Sequence, residues 1–64
     1  MDGHFQRFLD ALDQYLYDQG WYINGFYIKQ KCKTFAEAEQ YLIDHCYTKT
    51  ESAEIVARIK LQTL

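Results

Sequence analysis

The sequence predicts a small α+β domain spanning residues 1–64, in which a two-stranded antiparallel hairpin packs on three helices in the order α-β-β-α-α. Three observations predict it. Apolar residues recur at three- and four-residue steps in three separate segments. Two T-x-x-E sequences, Thr34–Glu37 and Thr48–Glu51, have the form of capping boxes that open helices. Between the first two helical segments, two aromatic and β-branched triplets flank Asn24-Gly25, a strong short-range hairpin signal.

The first helix is predicted over 3–18. Phe5, Phe8, Leu9, Leu12 and Leu16 form its apolar stripe, with Tyr15 at the margin. Asp2 is its expected N-cap. Gly20 stands where a left-handed residue would terminate it. The hairpin is predicted over 21–33, with strands built on Trp21-Tyr22-Ile23 and Phe26-Tyr27-Ile28. A type I′ turn at Asn24-Gly25 fixes the register and pairs Tyr22 with Tyr27. One face then carries Trp21, Ile23, Phe26 and Ile28. The other carries Tyr22, Tyr27, Lys29, Lys31 and Lys33. A lone hairpin is marginal in water, so its apolar face is expected to lie on the helices.

The second helix is predicted over 35–46. Phe35, Ala38, Leu42 and Cys46 form its stripe, flanked by Tyr41 and His45. The third is predicted over 50–62. Ala53, Val56, Ala57 and Leu61 form one stripe there, and Ile55 and Ile59 another. Lys60 interrupts the apolar side, and its stem is expected to snorkel outward.

Composition narrows the function classes. Hydrophobic residues make up 48% of the 64-residue chain and aromatics 17%, which is too apolar for a disordered segment. A core of this size barely offsets the entropy of ordering the chain, so a staple or a partner is expected to complete it. A disulfide does not fit that role. Cys32 and Cys46 bracket a helix and should lie roughly 17 Å apart at the helical rise, against a limit of about 7 Å between bridged Cα atoms. Both are read as reduced thiols of a cytoplasmic protein. The N-terminal residues lack the basic and apolar regions of a signal peptide, and no apolar run reaches membrane-spanning length.

The net charge of −2 gives no global attraction to nucleic acid. The distribution is uneven, however. Residues 19–34 hold three Lys and no acid, between segments in which acids dominate.

No enzyme chemistry is expected. His4, His45, Cys32 and Cys46 are the reactive or physiologically titrating groups. His45 and Cys46 are helical neighbours whose side chains diverge. The chain shows no nucleophile elbow, phosphate loop or H-E-x-x-H sequence. Neither cysteine has a second ligand at zinc-finger spacing. No cofactor and no metal are therefore expected. A helix-turn-helix built on the last two helices is disfavoured, because Glu51 and Glu54 would open the recognition helix against phosphates.

The remaining signal is a surplus of aromatics. Tyr17, Tyr22, Tyr27 and Tyr47 fall off the expected buried stripes, and tyrosine is enriched in protein interfaces. The expected function is thus a non-catalytic protein-interaction module. Its contact residues would be Tyr22, Tyr27, Lys29, Lys31 and Lys33, extended by Tyr17 and Tyr47. Occlusion of a site on a larger host protein is the expected mechanism. Chains of this size include inhibitors encoded by phages and mobile elements, a prior carried by size and not by any residue. A nucleic-acid-binding regulator using the lysine face is the alternative, and an obligate homodimeric scaffold is the third.

Overall fold

The computed structural model describes residues 3–64. Four helices follow in order: α1 (His4–Asp18), α2 (Tyr22–Lys31), α3 (Phe35–His45) and α4 (Lys49–Gln62). Helix accounts for 81% of the structure, and no strand occurs among the described residues. The α+β architecture and the hairpin over 21–33 are therefore overturned. The domain is an all-helical, four-helix bundle-like unit.

The expected hairpin fails for a local reason and a tertiary one. A type I′ turn needs positive φ at both central residues. Among the described residues, only Gly20 has positive φ, at 91°. Asn24 and Gly25 lie instead inside α2. The tertiary reason is burial. As a helix, the segment places Trp21, Gly25, Ile28 and Cys32 on one line at steps of four, three and four residues. Gly25, Ile28 and Cys32 are buried, and Trp21 packs against the core. Such packing overrides the strand preference of isolated aromatic and β-branched residues.

Gly25 has a specific packing role in that line. A Cβ built there would run into Asp13 Oδ1 and lie 3.1 Å from Asp13 Cα. The missing side chain lets α2 rest closely on α1. Helix α2 is otherwise weakly started. Its N-cap is Trp21, which makes no side-chain capping bond, and its first turn holds no acid. Lys29 and Lys31 in the last turn do complement the helix dipole.

The turn between α1 and α2 forms as the glycine suggested. The Trp21 N–H donates to the Leu16 carbonyl at 2.7 Å and the Gly20 N–H to Tyr17 at 3.0 Å, the paired bonds of a Schellman motif. Gly3 precedes α1 without a side-chain capping bond. Asp2, the expected cap, lies outside the described residues.

Both expected capping boxes are present. Thr34 Oγ1 accepts from the Glu37 N–H at 3.1 Å, and Glu37 Oε1 accepts from the Thr34 N–H at 3.1 Å. Thr48 and Glu51 repeat the arrangement at 3.1 and 3.0 Å. Each box satisfies donors that the first helical turn leaves open.

The core collects Phe8, Leu9, Leu12 and Leu16 of α1, Ile28 of α2, Ala38 and Leu42 of α3, and Ile55, Val56 and Ile59 of α4. Helix α4 thus buries the Ile55/Ile59 line with Val56. Ala53, Ala57 and Leu61, expected as a buried stripe, are exposed. Ser52 is fully buried beside that line, and among the described residues its Oγ has no hydrogen-bond partner. Phe35 meets Phe5 and Phe8 edge-on, with centroids 5.1 and 4.8 Å away. The Lys60 ammonium does not simply escape to water; it sits 4.6 Å from the Phe35 ring centre.

The start of α1 is tied to the end of α4. His4 Nε2–H donates to the Lys60 carbonyl at 2.9 Å, and Arg7 Nε–H to the Thr63 carbonyl at 3.0 Å. At the other end, Trp21 Nε1–H donates to Tyr47 Oη at 3.1 Å.

Replacing Gly25 by Ala tests the helix contact. In an unobstructed helix the change stabilises by roughly 0.5–1 kcal/mol. Here the added methyl must separate α1 from α2, so Gly25→Ala should destabilise by about 1–3 kcal/mol, as overpacking does. Urea unfolding monitored by far-UV circular dichroism reads the sign. A stabilised variant would contradict the close approach.

Candidate functional site

The outer side of α2 is the candidate site. It follows directly from the helical period. With Gly25 and Ile28 turned inward, the residues about half a turn away must face out. Those are Ile23 and Phe26, flanked by Tyr22 and Tyr27. Their exposures are large for such side chains: Tyr22 60%, Ile23 65%, Phe26 58% and Tyr27 43%. Tyr17, 59% exposed at the end of α1, joins them by packing edge-on against Tyr22 at 4.8 Å. Phe26 and Tyr27 are also in contact, with centroids 6.4 Å apart. Helix α2 is therefore apolar on two opposite sides, one sealed against α1 and the other open.

Three expected contact residues, Tyr17, Tyr22 and Tyr27, come together on this surface. The lysines do not. Positions two apart on a helix are about 200° apart, so Lys29 and Lys31 leave α2 in nearly opposite directions. Lys29 Nζ turns to α1 and pairs with Asp10 Oδ1 at 3.0 Å and Asp13 Oδ2 at 3.9 Å. Lys33 lies beyond α2, where its backbone N–H donates to Glu37 Oε1 at 2.6 Å. The single basic face expected from the hairpin is thus dispersed. Tyr47 is half-buried, packs edge-on against Trp21 at 5.9 Å and accepts its indole hydrogen bond. It belongs to the junction of α4 with the α1–α2 turn, away from the open face.

Ile23 and Phe26 were missed as surface residues because the hairpin register placed them on its buried face. The signal that finds them is the Trp21, Gly25, Ile28, Cys32 line. Once Gly25 counts as a contact residue and not a turn residue, the opposite side of the helix is defined.

The electrostatics at the margin are simple. The hydrogen bond from Lys29 holds the Asp10 carboxyl below the ordinary carboxylate range; burial opposes it, and the charge of Lys29 and a hydrogen bond from Gln6 add to the lowering. The same contact raises Lys29. The Asp10 contribution to stability is therefore present above its unfolded-state pKa and is lost as pH falls through the folded value. The Lys29 contribution is present below its unfolded-state pKa and is lost as pH rises through the folded value. Both groups are solvated, so the pair adds little to stability.

Elsewhere, Cys32 and Cys46 are free thiols. Burial pushes both upward, with Glu37 adding to the effect at Cys32. Burial likewise raises Tyr41 and Tyr47. Tyr41 Oη–H donates to Asn24 Oδ1 at 2.9 Å, which fixes α3 against α2. His45 is exposed, with its ring 4.3 Å from that of Tyr41.

The clefts among the described residues are shallow: about 170 Å³ between Tyr15 of α1 and Ile55 and Arg58 of α4, about 260 Å³ beside Gln19, Tyr47 and Glu51, and about 300 Å³ beside His4 and Leu61. Among the described residues, no three His, Cys, Asp or Glu side chains gather as a metal site, and no helix is long and apolar enough to cross a membrane. Comparison with protein-family models, with curated proteins and with solved structures returns no match.

The Lys29 bridge is testable directly. In Lys29→Gln, the Asp10 carboxyl should titrate at higher pH than in the parent protein, nearer the ordinary carboxylate value. Carboxyl ¹³C NMR titration measures this. An unchanged midpoint would show that the bridge does not form in solution.

Proposed function

We propose that the chain is a non-catalytic protein-interaction module whose contact surface is the open face of α2. The observation that carries this reading is the contiguous exposure of Tyr22, Ile23, Phe26 and Tyr27, with Tyr17 alongside. Isolated exposed apolar residues are ordinary, but contiguous apolar patches mark interaction sites. The composition is that of interface centres, rich in aromatics and free of charge. Because the residues stand on a regular helix, little ordering cost remains when a partner covers them. The mechanism is occlusion: α2 lays its apolar side over an apolar site on another protein. Reduced Cys32 and Cys46 fit a cytoplasmic setting.

The nucleic-acid alternative loses its main support. It needs lysines aligned on one face, and here Lys29 is committed to Asp10 while Lys31 projects from another side of the helix.

The experiment compares capture by the parent protein with capture by Ile23→Ser/Phe26→Ser and by Lys31→Gln/Lys33→Gln. The first pair is exposed, so helicity and thermal midpoint should be retained. Its affinity for any captured protein should fall at least tenfold, since each side chain is of the size and placement that dominates interfaces. The lysine pair should retain capture, with nuclease and moderate salt present. Undiminished capture by the Ser variant would refute the reading. Binding that disappears with nuclease would replace it with a nucleic-acid function.

A further inference from the structure

We infer that α2, with the residues that follow it to Lys33, is a strap fixed at both ends that opens from the bundle as a unit while α1, α3 and α4 stay packed. Opening melts the helix that groups Tyr22, Ile23, Phe26 and Tyr27, so the strap gates its own face. That consequence rests on the reading of the face as a protein-contact surface.

The seat of the strap is slight. Helix α2 is the shortest of the four, at 10 residues. Its first turn holds no acid and no side-chain cap, and the opening backbone bond, from the Gly25 N–H to the Trp21 carbonyl, is long at 3.4 Å. Of its side chains, Ile28 is the one buried apolar group, whereas α1 buries Phe8, Leu9, Leu12 and Leu16. Cys32 adds a small buried thiol just past the helix. The polar ties to the neighbouring helices are the solvated Lys29 bridge to Asp10 and Asp13 and the hydrogen bond from Tyr41 to Asn24. Tyr22 meets Tyr17 on the exposed side. Few buried apolar contacts and solvated polar ties mark a segment that opens at a lower free energy than the whole domain. A glycine-centred helix this short does not persist alone, so leaving α1 and melting are one event.

The ends of the strap are held independently of it. Trp21 is bonded to Leu16 through its backbone N–H and to Tyr47 through its indole. Thr34 is fixed by its capping box with Glu37, which also accepts the Lys33 N–H. Cys32 and Thr34 have extended backbone, with ψ of 135° and 161°, so the helix ends before the second anchor. The other three helices also meet one another directly. Phe35 of α3 packs on Phe5 and Phe8 of α1. His4 and Arg7 bond the last carbonyls of the chain's final turn. Ile55 and Ile59 of α4 face Ala11 and Tyr15 of α1 across their shared cleft. The crossing at Gly25 sets where α2 sits; these contacts are made without it.

Native-state hydrogen exchange, followed by ¹⁵N NMR in rising urea below the unfolding transition, tests the inference. The Phe26–Cys32 amides should be at least tenfold less protected than the slowest amides of α1 and α4. Their urea dependence should be smaller, because less surface is exposed. Ile59→Val trims a contact between α1 and α4 that opening leaves intact. It should speed the slowest α1 and α4 amides about two- to tenfold and leave Phe26–Cys32 unchanged. Gly25→Ala disturbs the seat itself and should speed Phe26–Cys32 at least fivefold.

Equal protection and equal urea dependence in all four helices would overturn the inference. So would faster α2 exchange in Ile59→Val, or unchanged α2 exchange in Gly25→Ala. The Ile23→Ser/Phe26→Ser protein separates the strap from the contact surface. Those side chains are exposed, and serine matches them in helix propensity, so its α2 exchange should stay within about threefold of the parent. A strap that opens as described, with undiminished capture by the Ser variant, removes the contact surface alone. Uniform protection with lost capture removes the strap alone.

Discussion

The structure depends on the close crossing of α1 and α2 at Gly25. A helix only 10 residues long, with no N-terminal side-chain cap and a glycine at its centre, is not stable by propensity. It is held because Gly25 lets its backbone approach Asp13, which seats Ile28 and Cys32 in the core and brings Lys29 to Asp10. Everything about the open face follows from that seating. Rotation of α2 by half a turn would bury Phe26 and expose Ile28. With Gly25 against α1, Ile23 and Phe26 can only point away.

The rest of the fold supports this crossing from two ends. The Schellman turn at Gly20 reverses the chain so that α2 returns along α1, and the Trp21–Tyr47 hydrogen bond ties that turn to the start of α4. At the opposite end, His4 and Arg7 hold the carbonyls that close α4. Helix α3 fills the remaining side, with Tyr41 bonded to Asn24. Asn24 and Gly25, the two residues with the strongest turn chemistry in the chain, thus serve as a polar contact and a packing contact within one helix.

The sequence made three of the four helices legible, because their signals are local. Thr34–Glu37 and Thr48–Glu51 set helix starts by hydrogen bonds three residues apart, and α1 shows an unbroken apolar period closed by Gly20. The segment 21–33 was not legible, because its state is decided by Asp13, a residue on another element. Locally, Tyr22-Ile23 and Phe26-Tyr27 around Asn24-Gly25 favour a hairpin, and the helical line is hidden when one of its members is glycine. The site divided in the same way. The exposure of Tyr17, Tyr22 and Tyr27 was legible from composition, because surplus tyrosines are recognisable without a fold. The grouping of Lys29, Lys31 and Lys33 depended on a two-residue period and disappears with it. Ile23 and Phe26 moved from core to surface for the same reason. In α4, the choice between two apolar lines was likewise tertiary: Ile55 and Ile59 fill more core volume than Ala53 and Ala57.

The central claim is that residues 22–31 are helical and that Gly25 lies on Asp13. Nuclear Overhauser contacts and backbone chemical shifts over this segment test it most directly. The account predicts sequential amide–amide contacts and Hα(i)–HN(i+3) contacts from Tyr22 to Lys31, helical Cα shifts at Asn24 and Gly25, and contacts between Gly25 Hα and the protons of Asp13. Cross-strand contacts between Tyr22 and Tyr27, with positive φ at Asn24 and Gly25, would contradict it and restore the hairpin.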